Sequence, residues 1–175
     1  MPVIVPLPYS AFPEELAHLV GCMTVAYQRI EDEISTLIES IAHIEPDALN
    51  VFLSKIWAIA PRLEILQDLS KVYLEDDAEV SRINKLCKRV KEVGRERNSF
   101  IHSANHAFDK QSGDVFQVDK KKSKLKRLGS DEFELLTNRM YLIIEAFDQR
   151  HFGVDDWDSP FEYWDSPIKF LNQEL

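Results

Sequence analysis

The sequence predicts an all-α fold: one bundle of about five helices, with a short hairpin or loop inserted after the fourth. Three observations predict it. Apolar residues recur at alternating spacings of three and four over long stretches, the period of a helix with one buried face. Only 5 of 175 residues are glycine, which favours a few long elements over many turns. Prolines 13, 46 and 61 stand where successive apolar stripes begin, and the first turn of a helix is where proline is tolerated. The composition, 45% hydrophobic and 29% charged, is that of a chain able to bury one core, so a single domain is expected.

Residues 1–12 read as an extended lead-in, because prolines 2, 6 and 8 interrupt any continuous apolar helix of the signal-peptide kind. The helical domain is placed at 13–153. Its first helix follows Pro13 for about thirty residues, with Leu19, Met23, Tyr27, Ile30, Ile34, Leu37, Ile38 and Ile41 on one face. A second starts at Pro46 and carries Leu49, Phe52, Leu53, Ile56 and Trp57; a third starts at Pro61 and carries Leu63, Leu66, Leu69, Val72 and Tyr73. The carboxylates of Glu75, Asp76 and Asp77 are suited to cap the fourth, whose inner track runs Val80, Ile83, Cys87, Val90, Gly94, Arg97 and Ile101. Beyond His102 the period fails, and the turn residues Gln111 to Asp114 separate two short runs, His106 to Phe108 and Val115 to Val118. The lysine-rich run 120–127 reads as a solvated loop, the alternative being that it joins the cations of the fourth helix in one face for RNA. A last helix opens at Ser130, carries Phe133, Leu136, Met140, Ile143, Ile144 and Phe147, and ends near Gly153. The tail 154–175 is acidic and aromatic, too apolar for a free linker, and is expected to lie on the bundle or on a partner.

A formal net charge of −9 argues against a protein that coats nucleic acid nonspecifically, though it leaves room for a local basic site. Cys22 and Cys87 show no disulfide or metal-binding spacing and read as reduced and buried, which implies a cytoplasmic protein. No stretch approaches eighteen apolar residues, so no membrane span is expected. The tail carboxylates Asp155, Asp156, Asp158, Glu162 and Asp165 lack the spacing and glycine of a calcium loop. No phosphate-cradling glycine loop or nucleophile elbow is present either, and neither metal nor cofactor is expected.

The chemistry concentrates in the stretch RERNSFIHSANH at the end of the fourth helix. Arg97 shares the inner track with Val90, Gly94 and Ile101, and a buried cation without a partner costs several kcal/mol by the usual scale of roughly 3–5. Gly94 weakens the helix by about 1 kcal/mol relative to alanine, and its benefit is a close approach by another group. His102 falls at the C-terminal end of the helix, where the exposed carbonyls favour the protonated imidazole. Asn98, four residues earlier, lies on the same face as His102, whereas Arg97 is about 140° around the helix from it. Arg97 and His102 can act on one phosphate only if the helix unwinds near His102 or if two chains pair.

Residues Arg97-Asn98-Ser99-Phe100-Ile101-His102 resemble the RNxxxH form of the Rx4–6H motif of the HEPN superfamily. The layout of residues 13–150 is similar as well: a long first helix, the motif at the end of a late helix, a short insert and a final amphipathic helix. The resemblance implies an up-and-down HEPN-like bundle that forms a homodimer, with the motif helices facing each other across a cleft. It implies a metal-independent endoribonuclease in which Arg97 neutralises the scissile phosphate, His102 moves the proton and Asn98 positions the site. Attack by the 2′-OH would leave a 2′,3′-cyclic phosphate, in a toxin–antitoxin or antiviral-defence role with an antitoxin or regulatory protein as a further partner. Glu31, midway along the first helix, stands where active members often place an acid facing the motif, and is the candidate supporting acid for Arg97, the alternative being an exposed carboxylate that pairs with Arg29 or a lysine. Ala104 occupies the position of a tyrosine that a nucleotidyltransferase partner modifies in some members, which argues against an antitoxin of that kind. Lys88, Lys91 and Arg95 lead to the motif and are the RNA-binding candidates. The alternative from a different class is a non-catalytic HEPN-like dimeric module that scaffolds a partner.

Overall fold

A computed structural model describes residues 4–6, 14–101, 106–109, 115–119, 124–128 and 130–165. Five α-helices carry the core: α1 (Glu14–Ala42), α2 (Pro46–Leu53), α3 (Ile59–Tyr73), α4 (Asp77–Ile101) and α5 (Ser130–His151). The apolar stripes set their order of packing. α1 lies against α5 and α3, and α4 packs on both α3 and α5, so that four helices enclose one core. Met23, Ile30, Ile34 and Ile38 of α1 meet Leu63 and Leu66 of α3, Ile83, Leu86 and Val90 of α4, and Phe133, Met140 and Ile143 of α5, all within the fully buried set.

Helix ends follow local chemistry. Asp76 accepts a hydrogen bond from the Ala78 N–H at 2.9 Å, satisfying a donor that the first turn of α4 leaves open. α5 ends, as expected, near Gly153, whose φ of +74° is a left-handed value that glycine adopts without strain. There the Gly153 N–H bonds to the Arg150 carbonyl and the Val154 N–H to the Gln149 carbonyl, both at 3.0 Å, a glycine-terminated helix stop. Arg62 closes the α2–α3 turn by donating to the carbonyls of Ile56 at 3.0 Å and Leu53 at 3.4 Å.

Some expected stripes are shorter than their sequence period. α2 stops at Leu53, and Phe52 and Trp57 are 51% and 91% exposed. Val72 and Tyr73, at the end of α3, are also exposed, Val72 lying about 180° around the helix from the buried Leu63. Cys87 is buried as expected, with its thiol pushed up to about 12 by burial, but Cys22 is only half-buried and contacts the His18 ring at 3.6 Å.

The insert is a small antiparallel sheet of four strands in the order β1-β2-β3-β4. β2 (His106–Asp109) and β3 (Val115–Asp119) form the expected hairpin, with His106 opposite Gln117. Two further strands enlarge it. The lead-in contributes β1 (Ile4–Pro6) along β2, and the lysine run contributes β4 (Lys124–Leu128) along β3, with Val118 opposite Leu125. The expectation of a solvated loop is corrected for 124–128: backbone pairing needs only open N–H and C=O groups at a strand edge, which a lysine-rich composition does not reveal.

Beyond α5, a 3-10 turn at Ser159–Tyr163 carries the chain across α5 and α4. Trp157, Phe161 and Trp164 are 2%, 3% and 4% exposed and complete the core. Among the described residues, no helix is long and apolar enough to cross a membrane.

Candidate functional site

The inner track of α4 and the middle of α1 meet at Gly94. A Cβ at that position would stand 2.7 Å from the Tyr27 hydroxyl oxygen, so the glycine makes room for a buried tyrosine to lie against the helix backbone. One turn on, the Arg97 guanidinium sits over the Tyr27 ring, 5.0 Å from its centroid, within range of a cation–π contact. Arg97 Nη1 donates to Asn98 Oδ1 at 3.2 Å, and Arg97 Nε is buried with no hydrogen-bond acceptor. Arg97 makes no ion pair with another described residue. Its charge is thus held by a ring and a side-chain carbonyl, without a neutralising carboxylate in contact among the described residues.

Glu31 follows Tyr27 by one turn on α1. Burial pushes its carboxyl above the usual glutamate range, with Arg62 and then Arg97 pulling the other way. The expected supporting acid is therefore within electrostatic reach of Arg97, and shares its field with Arg62, which Ser35 helps to place. Burial and the Glu31 carboxylate raise the Tyr27 phenol to about 12, so the ring stays neutral across the physiological range.

A pH-dependent outcome follows for Glu31. A carboxyl whose folded pKa lies above its unfolded value holds its proton more tightly when folded, so stability falls as pH rises from the unfolded to the folded pKa. Above both, the ionised group is a net cost. Glu31→Gln is expected to raise the thermal midpoint at pH 7, and the gain should vanish below the ordinary glutamate range; melting curves from pH 3 to 8 check it.

The end of α4 is anchored by Phe100, which stacks on the fully buried Phe133 of α5 at 4.7 Å between centroids. α4 remains helical through Ile101, and His102 lies outside the described residues.

The three RNA-binding candidates do not converge on Arg97. Lys88, Lys91 and Arg95 share a face of α4 that, at about 100° per residue, is roughly opposite Arg97. Lys88 and Arg95 are exposed, and Lys91 donates to Gln67 Oε1 of α3 at 3.1 Å. The other basic flank of α4 is occupied by the chain's own tail. Asp158 takes Lys85 at 2.8 Å and Arg82 at 3.7 Å, while Glu79 takes Arg150 at 2.9 Å and the Trp157 indole N–H at 2.8 Å. Trp164 lies under the guanidinium of Arg89, at 4.4 Å, and within 5.5 Å of that of Arg139, which also pairs with Glu96 and Asp165. Of the tail acids, Asp158 and Asp165 pair with these cations.

Sequence reasoning placed Tyr27 in the apolar stripe of α1 and missed its contact with Arg97. The only signal was the costly glycine at 94, which announced a close neighbour without naming it. Compared with protein-family models, curated proteins and solved structures, the chain matches none.

Proposed function

We propose that the chain is a metal-independent endoribonuclease of HEPN type, acting as a cytoplasmic homodimer in a toxin–antitoxin or antiviral-defence role. The observation that supports it most is the state of Arg97: a half-buried guanidinium on a motif resembling RNxxxH, lying over a ring and, among the described residues, without a carboxylate in contact. A phosphate is the chemical complement of such a group, since its oxygens match the planar fork of arginine. In the reaction the 2′-oxygen bonds to phosphorus and the bond to the 5′-oxygen breaks. His102 moves the proton between the attacking and leaving oxygens, and Arg97 offsets the charge that builds on the non-bridging oxygens. Asn98, already bonded to Arg97, keeps the guanidinium turned.

The second reading, a non-catalytic HEPN-like scaffold, is favoured by a different observation: the Arg82, Lys85 and Arg89 flank of α4 is paired with the chain's own tail, which takes that cationic area from a long RNA. Incubation with single-stranded RNA in EDTA separates the two. Wild type should cut, leave 2′,3′-cyclic phosphate ends and fail at a linkage carrying a 2′-deoxy sugar, while His102→Ala should lose roughly 100-fold or more in rate. Intact RNA with wild type, or equal cutting by His102→Ala, rejects the enzyme.

A further inference from the structure

We infer that Tyr27 is a positioning residue for Arg97, its ring face setting where the guanidinium points and its hydroxyl seated in the gap that Gly94 provides. The inference rests on the ribonuclease reading and deepens it. Two separate features of the structure lead here. First, the ring is itself enclosed: Tyr27 is 4% exposed, lies in the α1–α4 seam, and its oxygen is 2.7 Å from the point where any larger residue at 94 would place a Cβ. Second, Arg97 has few other restraints. Among the described residues its side chain hydrogen-bonds to its exposed neighbour Asn98, and its buried Nε has no acceptor. A long side chain held by so little would otherwise sample several rotamers, and a reacting phosphate would meet a misplaced cation in most of them. The aromatic face removes that freedom without consuming the N–H donors that a phosphate needs, as a carboxylate would.

The division of labour within Tyr27 makes the inference testable. Tyr27→Phe keeps the ring and drops the hydroxyl; Tyr27→Leu keeps apolar volume and drops the ring, with Tyr27→Met in its place should the leucine variant not fold. For cleavage of a single-stranded RNA, the phenylalanine variant should stay within about twofold of wild type in kcat and KM. The leucine variant should lose about tenfold in kcat with KM changed less than about twofold, since orientation matters most in the transition state. A readout independent of activity is the Arg97 Nε–H resonance, assigned by its loss in Arg97→Lys. Shielded by the ring in wild type and Tyr27→Phe, it should move to the ordinary arginine position in Tyr27→Leu. Wild-type kcat in Tyr27→Leu with a folded protein overturns the inference alone, as does a phenylalanine variant that falls as far as leucine. Wild type that cleaves no RNA overturns the ribonuclease reading and the inference with it.

Discussion

Trp164→Ala is expected to destabilise the folded chain by about 3–5 kcal/mol, the usual cost of truncating a buried tryptophan. The indole is 4% exposed, meets Phe161 edge-on at 6.0 Å and lies against two guanidiniums, so the substitution removes apolar contact, an aromatic pair and two cation–π contacts together. A domain is stable by about 5–15 kcal/mol, so the loss is a large share of the total and should lower the thermal midpoint by roughly 10 °C. Trp57→Ala is the matched control. That indole is 91% exposed, and its removal should change stability by less than about 0.5 kcal/mol. Urea unfolding of both variants measures the difference; equal midpoints would mean that residues 157–164 do not hold the bundle.

Arg97→Ala is expected to lower kcat for RNA cleavage about a thousandfold, the scale found when a group stabilising transition-state charge is removed. Stability should change little, by about 1 kcal/mol or less, because no ion pair with a described residue is broken and a buried N–H without an acceptor is lost. Arg97→Lys should recover less than about a tenth of the wild-type rate. A lysine ammonium carries the charge, but neither presents a planar fork to two phosphate oxygens nor lies flat over the Tyr27 ring. Single-turnover cleavage beside a melting curve separates the two effects, and an Arg97→Ala variant as fast as wild type would remove Arg97 from the chemistry.

How much of this was legible in the sequence depends on whether a signal is local. The α5 stripe from Phe133 to Phe147 is fully buried, and Gly153 ends that helix, because period and turn chemistry are encoded within a few residues. The stripes of α2 and α3 over-ran. Phe52, Trp57, Val72 and Tyr73 are exposed, since steps of three and four let an apolar pattern drift around a helix and past its end without saying which residues a neighbour covers. β1 and β4 went unread for a related reason, as each depends on a strand edge supplied elsewhere in the chain. At the site, the cost of Gly94 was visible and its cause was not, because a tyrosine 67 positions away looks like any other core residue. The basic residues of α4 do not form one surface. Helical geometry divides them into Lys88, Lys91 and Arg95 on one side and Arg82, Lys85 and Arg89 beneath the tail.

The partners of that tail lie far upstream. The Lys85–Asp158 and Glu79–Trp157 contacts span 73 and 78 positions, and both require α4 and α5 to stand side by side beforehand. Docking of this segment therefore belongs to the last stage of assembly, after the entropy of bringing distant segments together has been met by the helices themselves. Contacts made that late act as a latch: they slow the opening of the finished bundle far more than they hasten its formation.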